Sequence, residues 1–269
     1  YSATAAVAAK FGIPLIGVMG EVDIKRVNQN IIKAKHYGAK LKAVPGTLKE
    51  AITDAIKTWI TNPDYYYVCG SAVSSFPFPK IVQFAQSIIG REIREQCLEQ
   101  EKKLPNMIIG CVGGGSNFIG SIHEFLDEPN IKKIGVEAAE TAALTHGTPN
   151  IMQGMKSYML ASSDGSKSLG GSSLGAGIQY FGVGPQHSYL KDQGAVTYTS
   201  ATDKEILNAY KVVAQTEGIS SALEPMAAAA EVLKQAKGKP KDFIIVLSLC
   251  GRGEKDLDTI EEHMGKDFE

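Results

Sequence analysis

Apolar positions along the chain come in short runs separated by turn residues, and the runs alternate between two spacings. Ile24, Val27, Ile31 and Ala34 recur at three and four residues, the spacing of one helical face, so a helix is predicted over 23–37, with Asp23 as its N-cap and Gly38 as its stop. A helix of small residues over 2–11 and a strand over 14–19 precede it. Next come a strand over 41–44, a turn at Pro45-Gly46 and a helix over 47–59, whose Thr47 and Glu50 stand at capping-box spacing. Asn62-Pro63-Asp64 breaks the chain before a predicted strand over 65–68 and a long helix over 79–100.

The run 107–112 is apolar throughout, as a strand covered on both faces requires, and a helix over 118–126 and a strand over 133–136 follow it. Strand–helix–strand repetition of this kind predicts an α/β fold with parallel sheets flanked by helices. Between 140 and 199 the periodicity loosens. A Gly/Ser-rich stretch, 162–173, is closely flanked by apolar and aromatic residues, so the segment reads as loops and short strands folded over a site. Helices over 202–217 and 223–235 and a last buried strand over 243–247 complete the pattern.

The 269 residues carry 28 basic and 29 acidic side chains, well mixed, for a net charge of −1. That balance argues against a nucleic-acid partner, which asks for a basic stripe. No apolar run approaches the length that spans a membrane. The four cysteines are far apart with no Cys-x-x-Cys pair, which fits a reducing cytosol, and the five histidines show no metal-ligand spacing. The segment opens on Tyr1-Ser2-Ala3 without an initiator methionine or basic start, and reads as the interior of a longer chain.

Candidate chemistry centres on Gly113-Gly114-Gly115-Ser116-Asn117. A glycine turn between a buried strand and a helix offers backbone N–H groups beside the positive helix end, an anion site. No Gly-Lys-Ser/Thr follows, so it is not a P-loop. Phe118 stands where the dinucleotide fingerprint needs glycine. What remains is a cup for one phosphate monoester, with Ser116 and Asn117 adding side-chain hydrogen bonds. Cys250-Gly251-Arg252-Gly253 is either a tight exit turn or the place where a neutral thiol faces a heteroaromatic nitrogen in the same crevice. Gly182-Val183-Gly184-Pro185-Gln186-His187 reads as a loop turn, and Glu224 at a helix start reads as ordinary dipole stabilisation or as a catalytic acid.

Together and in this order, the Gly113–Asn117 loop, the 182–187 segment, Ala222-Leu223-Glu224 and the motif 250–256 resemble the tryptophan synthase beta-chain family, pyridoxal-phosphate enzymes of fold type II. Trp59 and Phe76-Pro77-Phe78-Pro79 fit the same resemblance, which runs over nearly the whole chain. It implies that 1–70 form most of a mobile communication domain and 71–269 a C-terminal cofactor-binding domain. It also implies replacement of the β-hydroxyl of L-serine by indole to give L-tryptophan, in a cytoplasmic homodimer able to pair with an alpha chain near Lys49. Gly113, Gly114, Gly115, Ser116 and Asn117 would hold the cofactor phosphate, with Ser71 and Cys250 at the ring and Glu224 close to it. Leu48, Arg26 and Gln179 are implied in substrate closure, and backbone carbonyls of Val112, Gly113 and Gly182 in a site for Na+ or K+.

Departures accompany the resemblance. The family's cofactor-bearing lysine, in a His-Lys-Thr-Asn motif, and its Glu-Thr-Gly-Ala-Gly loop are not in these residues; both belong upstream of Tyr1, so the segment alone is expected to be inactive. Gln179 stands for the aspartate that partners Arg26, and Cys250 for a serine. Two other readings stay open: another fold-type II lyase, such as a serine/threonine dehydratase or cysteine synthase, and a degenerate beta-like chain without catalysis.

Overall fold

The computed structural model describes residues 1–24, 27–162, 164 and 169–268, and divides the chain into two compact units, Tyr1–Val68 and Cys69–Glu269. The first holds α1 (Ser2–Lys10), β1 (Ile16–Gly20), α2 (Glu21–Ile24), α3 (Asn28–His36), β2 (Lys40–Val44) and α4 (Leu48–Thr61). β1 and β2 pair in parallel, Ile16 opposite Lys40. One buried cluster here joins Ala5, Ala34 and Ala39 with Tyr1 and Leu15 against them, and Ile31, Val44 and Ala51 are buried as well. The predicted capping box forms: the Thr47 N–H donates to Glu50 Oε2 at 2.8 Å, which holds the Glu50 carboxyl below its ordinary range.

Two expectations in this unit need correction. The helix predicted over 23–37 is divided, because Val27 leaves helical geometry at φ −117° and ψ 24° before α3 begins. The strand predicted over 65–68 does not form. Tyr65, Tyr66 and Val68 are exposed, and Tyr67 stacks on Trp59 at a centroid distance of 5.6 Å. Residues suited to a pleated surface make only extended chain when no strand lies beside them.

The second unit begins with α5 (Phe78–Gln86), α6 (Ile88–Glu101), β3 (Met107–Cys111), α7 (Ser116–Ile122) and β4 (Lys132–Ala138). There follow α8 (Ala143–His146), the antiparallel hairpin β5 (Thr148–Met152) and β6 (Met155–Met159), α9 (Pro185–Asp192) and β7 (Thr197–Ala201). α10 (Asp203–Glu217), α11 (Leu223–Gln235), β8 (Ile245–Leu247) and α12 (Leu257–Met264) close it. The strands form one parallel sheet in the order β7-β4-β3-β8, with Ile109 opposite both Ile134 and Leu247.

The period of two along β3 assigns its side chains to two cores. Met107, Ile109 and Cys111 pack with Ile206, Leu223 and Met226 of α10 and α11, whereas Ile108 and Val112 pack with Phe118, Ile122 and Leu190 of α7 and α9. α11 is buried along its first nine residues, Ala227–Ala230 included, and lies against β3, β4 and β7. The four alanines in a row let helix and sheet approach closely, with Leu223 and Met226 supplying the bulk between them.

The helix predicted over 79–100 is two. Ser87 joins them, donating its hydroxyl to Phe84 O at 2.8 Å and accepting Arg91 Nη1 at 2.7 Å, so it draws hydrogen bonds away from the regular ladder. β7 falls at the end of a stretch read as irregular, because Thr197, Tyr198, Thr199 and Ser200 look polar; it is the edge strand, paired with β4, with Tyr198 packed on one core and Ala201 in the other. β8 is three residues long and half-buried, shorter than the buried strand predicted. Among the described residues no helix is long and apolar enough to cross a membrane.

Ile134, fully buried in the centre of the sheet, sets a direct test. Ile134→Ala should lower the denaturant midpoint by an amount equivalent to about 2–5 kcal/mol. Ile32→Ala, at a position 45 % exposed, should stay within about 0.5 kcal/mol of the wild type.

Candidate functional site

The carboxyl end of β3, between its two neighbours in the sheet, is where the triple-glycine loop begins. Its glycines are required by what surrounds them. A Cβ on Gly113 would stand 2.3 Å from Gly177 O, and one on Gly114 2.6 Å from Ser71 Oγ. Gly115 has φ +92°, left-handed, and a Cβ there would meet the His187 ring at 2.2 Å. The loop is therefore walled by Ser71, by the short 3-10 helix Ala176–Ile178 and by α9. Gly184 N–H donates to Gly114 O at 3.1 Å, which brings the 182–187 segment directly onto the loop.

The N–H groups of Gly113, Gly114, Gly115, Ser116 and Asn117 donate to no acceptor among the described residues, and the first bond of α7 runs from Ile119 N–H to Gly115 O at 2.9 Å. Five consecutive N–H groups at a strand-to-helix turn, without an acceptor among the described residues, are the kind of donor set an anion needs.

His187 fixes this turn. It is fully buried and its Nε2 lies 2.7 Å from Gly115 O, which can only accept, so Nε2 carries the proton. Nδ1 then accepts from the Tyr198 hydroxyl at 2.8 Å. Phe118 stacks parallel to the imidazole at 5.9 Å. Burial holds the His187 pKa down at about 4, so the ring is neutral, and burial likewise pushes the Tyr198 hydroxyl well up.

At the other end of the crevice Asn117 turns its carboxamide onto two sulfurs, Nδ2 lying 2.8 Å from Cys250 Sγ and 3.6 Å from Cys111 Sγ. The side chain thus points along the crevice, and only the Asn117 main chain faces the anion cup. Asn117 Oδ1 is buried without a partner. The sulfurs are 3.5 Å apart.

Glu224, in the first turn of α11, accepts the Gly177 N–H at 2.7 Å and the Lys255 ammonium at 2.9 Å on each oxygen. Lys255 also donates to Asp256 at 2.7 Å, and Asp256 Oδ2 accepts the Leu223 N–H at the start of α11. Burial lowers the Lys255 pKa, but Glu224 and Asp256 outweigh it and hold the ammonium above its ordinary value.

The structure gathers Ser71, Gly113–Asn117, Glu224 and Cys250 around one crevice, with Gly182 two residues before the Gly184 contact. Gln179 follows the 3-10 helix, its N–H directed to Ala176 O at 3.3 Å. Leu48 and Lys49 open α4 in the first unit, and Arg26 lies outside the described residues. Three partners were not legible beforehand: His187, read as part of a turn; Lys255, whose charge already stood beside Cys250 in the 250–256 motif; and Cys111, hidden in an apolar run.

A profile of the family described as "Pyridoxal-phosphate dependent enzyme" matches residues 2–251. A tryptophan synthase beta chain from Allorhizobium ampelinum is 44 % identical over 275 aligned residues, covering 98 % of this chain and 68 % of that protein. A crystal structure of an O-ureido-L-serine synthase mutant superposes with a TM-score of 0.65 at 17 % identity, over 97 % of this chain and 71 % of that one, a likeness of fold.

The depressed His187 pKa gives a signed pH test. An unfolded histidine takes up its proton near pH 6.5 and the folded one near 4, so stability present above 6.5 is lost as pH falls toward 4, by about 3 kcal/mol at the limit. His187→Gln keeps a donor for Gly115 O and cannot titrate. The stability margin of the wild type over this variant should therefore narrow between pH 6.5 and 4, measured by urea unfolding at each pH.

Proposed function

The chain belongs to the pyridoxal-phosphate dependent enzymes and, among them, to the tryptophan synthase beta chains, and from that premise we propose how its residues divide the work of joining L-serine to indole. One contact supports the reading more than any other: Asn117 Nδ2 lies 2.8 Å from Cys250 Sγ. It ties the helix opened by the glycine loop to the exit of β8, so one small ligand reaches the anion cup with its phosphate and the sulfur with its ring. The free N–H groups of 113–117 and the orphaned Asn117 Oδ1 fit pyridoxal phosphate, which when bound supplies the electron sink for Cα deprotonation and loss of the β-hydroxyl.

The residues of this chain then act as follows. The loop N–H groups hold the phosphate dianion, and Ser71 Oγ, against Gly114, limits where the ring can lie. Cys250, a weak hydrogen-bond partner as a thiol, meets the ring nitrogen without forcing a proton onto it. This keeps electron withdrawal moderate and favours elimination and replacement over transamination. Glu224 faces the ring as a carboxylate oriented by Gly177 and Lys255. Leu48, Arg26 and Gln179 contribute to closure over the substrate, and an uncharged Gln179 cannot make an ion pair with Arg26. Carbonyls of Val112, Gly113 and Gly182 serve a monovalent cation, and Lys49 marks the side that an alpha chain would contact.

Two copies are proposed to associate through α5 and α9. Phe76 is 85 % and Phe84 78 % exposed, and Ile81 and Tyr189 are exposed with them. A cavity of about 410 Å³, walled by Phe76, Pro79, Ile119, Leu126, Pro185 and Tyr189, opens on the same elements. Apolar exposure on this scale marks an interface. Four unpaired cysteines agree with a cytosolic setting.

The full-length chain, loaded with pyridoxal phosphate, should consume indole in step with L-serine and release L-tryptophan. Pyruvate formation without indole consumption would instead assign a dehydratase, and no turnover of L-serine a non-catalytic chain. Phe84→Asp should shift the full-length protein toward monomer in sedimentation velocity while leaving the secondary structure of the chain intact.

A further inference from the structure

The two sulfurs at the ring end of the crevice are placed to react with each other. Cys111 ends β3, and Cys250 follows β8, the strand hydrogen-bonded beside it. Their Sγ atoms are 3.5 Å apart, and a disulfide requires about 2.05 Å. Cys111 is locked in the core at 2 % exposure. Cys250 is only partly buried, on a segment free of strand pairing, so rotation of its side chain can close the remaining distance of about 1.5 Å. Asn117 Nδ2 touches both sulfurs and holds them on the same side of the crevice.

We propose that Cys111 and Cys250 form a reversible disulfide, making the ring end of the site a modification site for small-molecule disulfides. Cys250 attacks first, as the more exposed thiol. The hydrogen bond from Cys111 lowers the Cys250 pKa, whereas that same contact and burial push Cys111 well up. The Cys250 thiolate displaces one thiolate from the reagent, breaking its S–S bond and forming a mixed disulfide. Cys111 then gives up its proton and attacks Cys250 Sγ, expelling the second thiolate. One reagent disulfide is reduced to two thiols, and the two cysteines lose two electrons and two protons.

Oxidation takes the hydrogen from the sulfur at 250 and draws that sulfur toward Cys111, away from the crevice. The bond itself does not depend on the cofactor reading. Its effect on cofactor binding rests on that reading, through the contact between Cys250 and the ring nitrogen.

The test uses the full-length chain, with and without pyridoxal phosphate, treated with oxidised glutathione. Intact mass should show loss of two hydrogens with no glutathionyl retained, and peptide mapping should join the Cys111 and Cys250 peptides. The reaction should be slower in the loaded protein and be reversed by dithiothreitol. Cys97→Ser, in α6 and remote from the crevice, should keep the link, whereas Cys250→Ser should abolish it. A stable glutathionyl group on Cys250 without the link, or a link from Cys250 to Cys69, overturns the proposal. Separately, absorbance titration should show affinity for pyridoxal phosphate reduced about tenfold in the oxidised protein, the worth of one hydrogen bond. If the link forms and that affinity is unchanged, the disulfide stands and the placing of Cys250 at the ring nitrogen falls.

Discussion

One hydrogen bond carries the geometry of the crevice: the imidazole of His187 donating to the carbonyl of Gly115. A left-handed residue at a strand-to-helix turn is held only by what surrounds it, and here a buried, neutral ring closes that position from below. With Gly115 fixed, α7 starts where it does, and Asn117 falls on the side of the helix that faces Cys250. Tyr198 completes the chain of donors by offering its hydroxyl to the free nitrogen of the ring. β7, which carries Tyr198, and α9, which carries His187, thereby reach the loop.

A second constraint is electrostatic. Glu224 and Asp256 share the ammonium of Lys255, and both also accept main-chain N–H groups, from Gly177 and Leu223. A carboxylate so bound is held in one place and one orientation.

Much of this was legible in the sequence because local rules and tertiary needs agreed. The glycine loop, the alternation of strands and helices, and the Thr47–Glu50 cap each have short-range causes, and the ordered set of motifs named the family. What escaped reading depended on neighbours distant in the chain. The segment 65–68 has strand composition but no strand beside it. Ser87 breaks a helix through a side chain that helical periodicity does not weigh. Thr197-Tyr198-Thr199 pairs with β4 at an edge where polar residues are tolerated. His187 became central only because Gly115 lies 72 positions earlier in the sequence and directly above it in space.

The alanine run of α11 has a mechanical meaning. The alanines bring this helix close to the strands, and Leu223 and Met226 of the same helix fill the space against Met107, Ile109 and Cys111, which leaves little to compress or re-rotate when either is pushed. The helix behaves as a stiff rod bolted to the sheet, and Glu224 sits at its tip. Slack in the crevice must then come from the glycine-bearing loops around it, while the carboxylate stays where the sheet puts it.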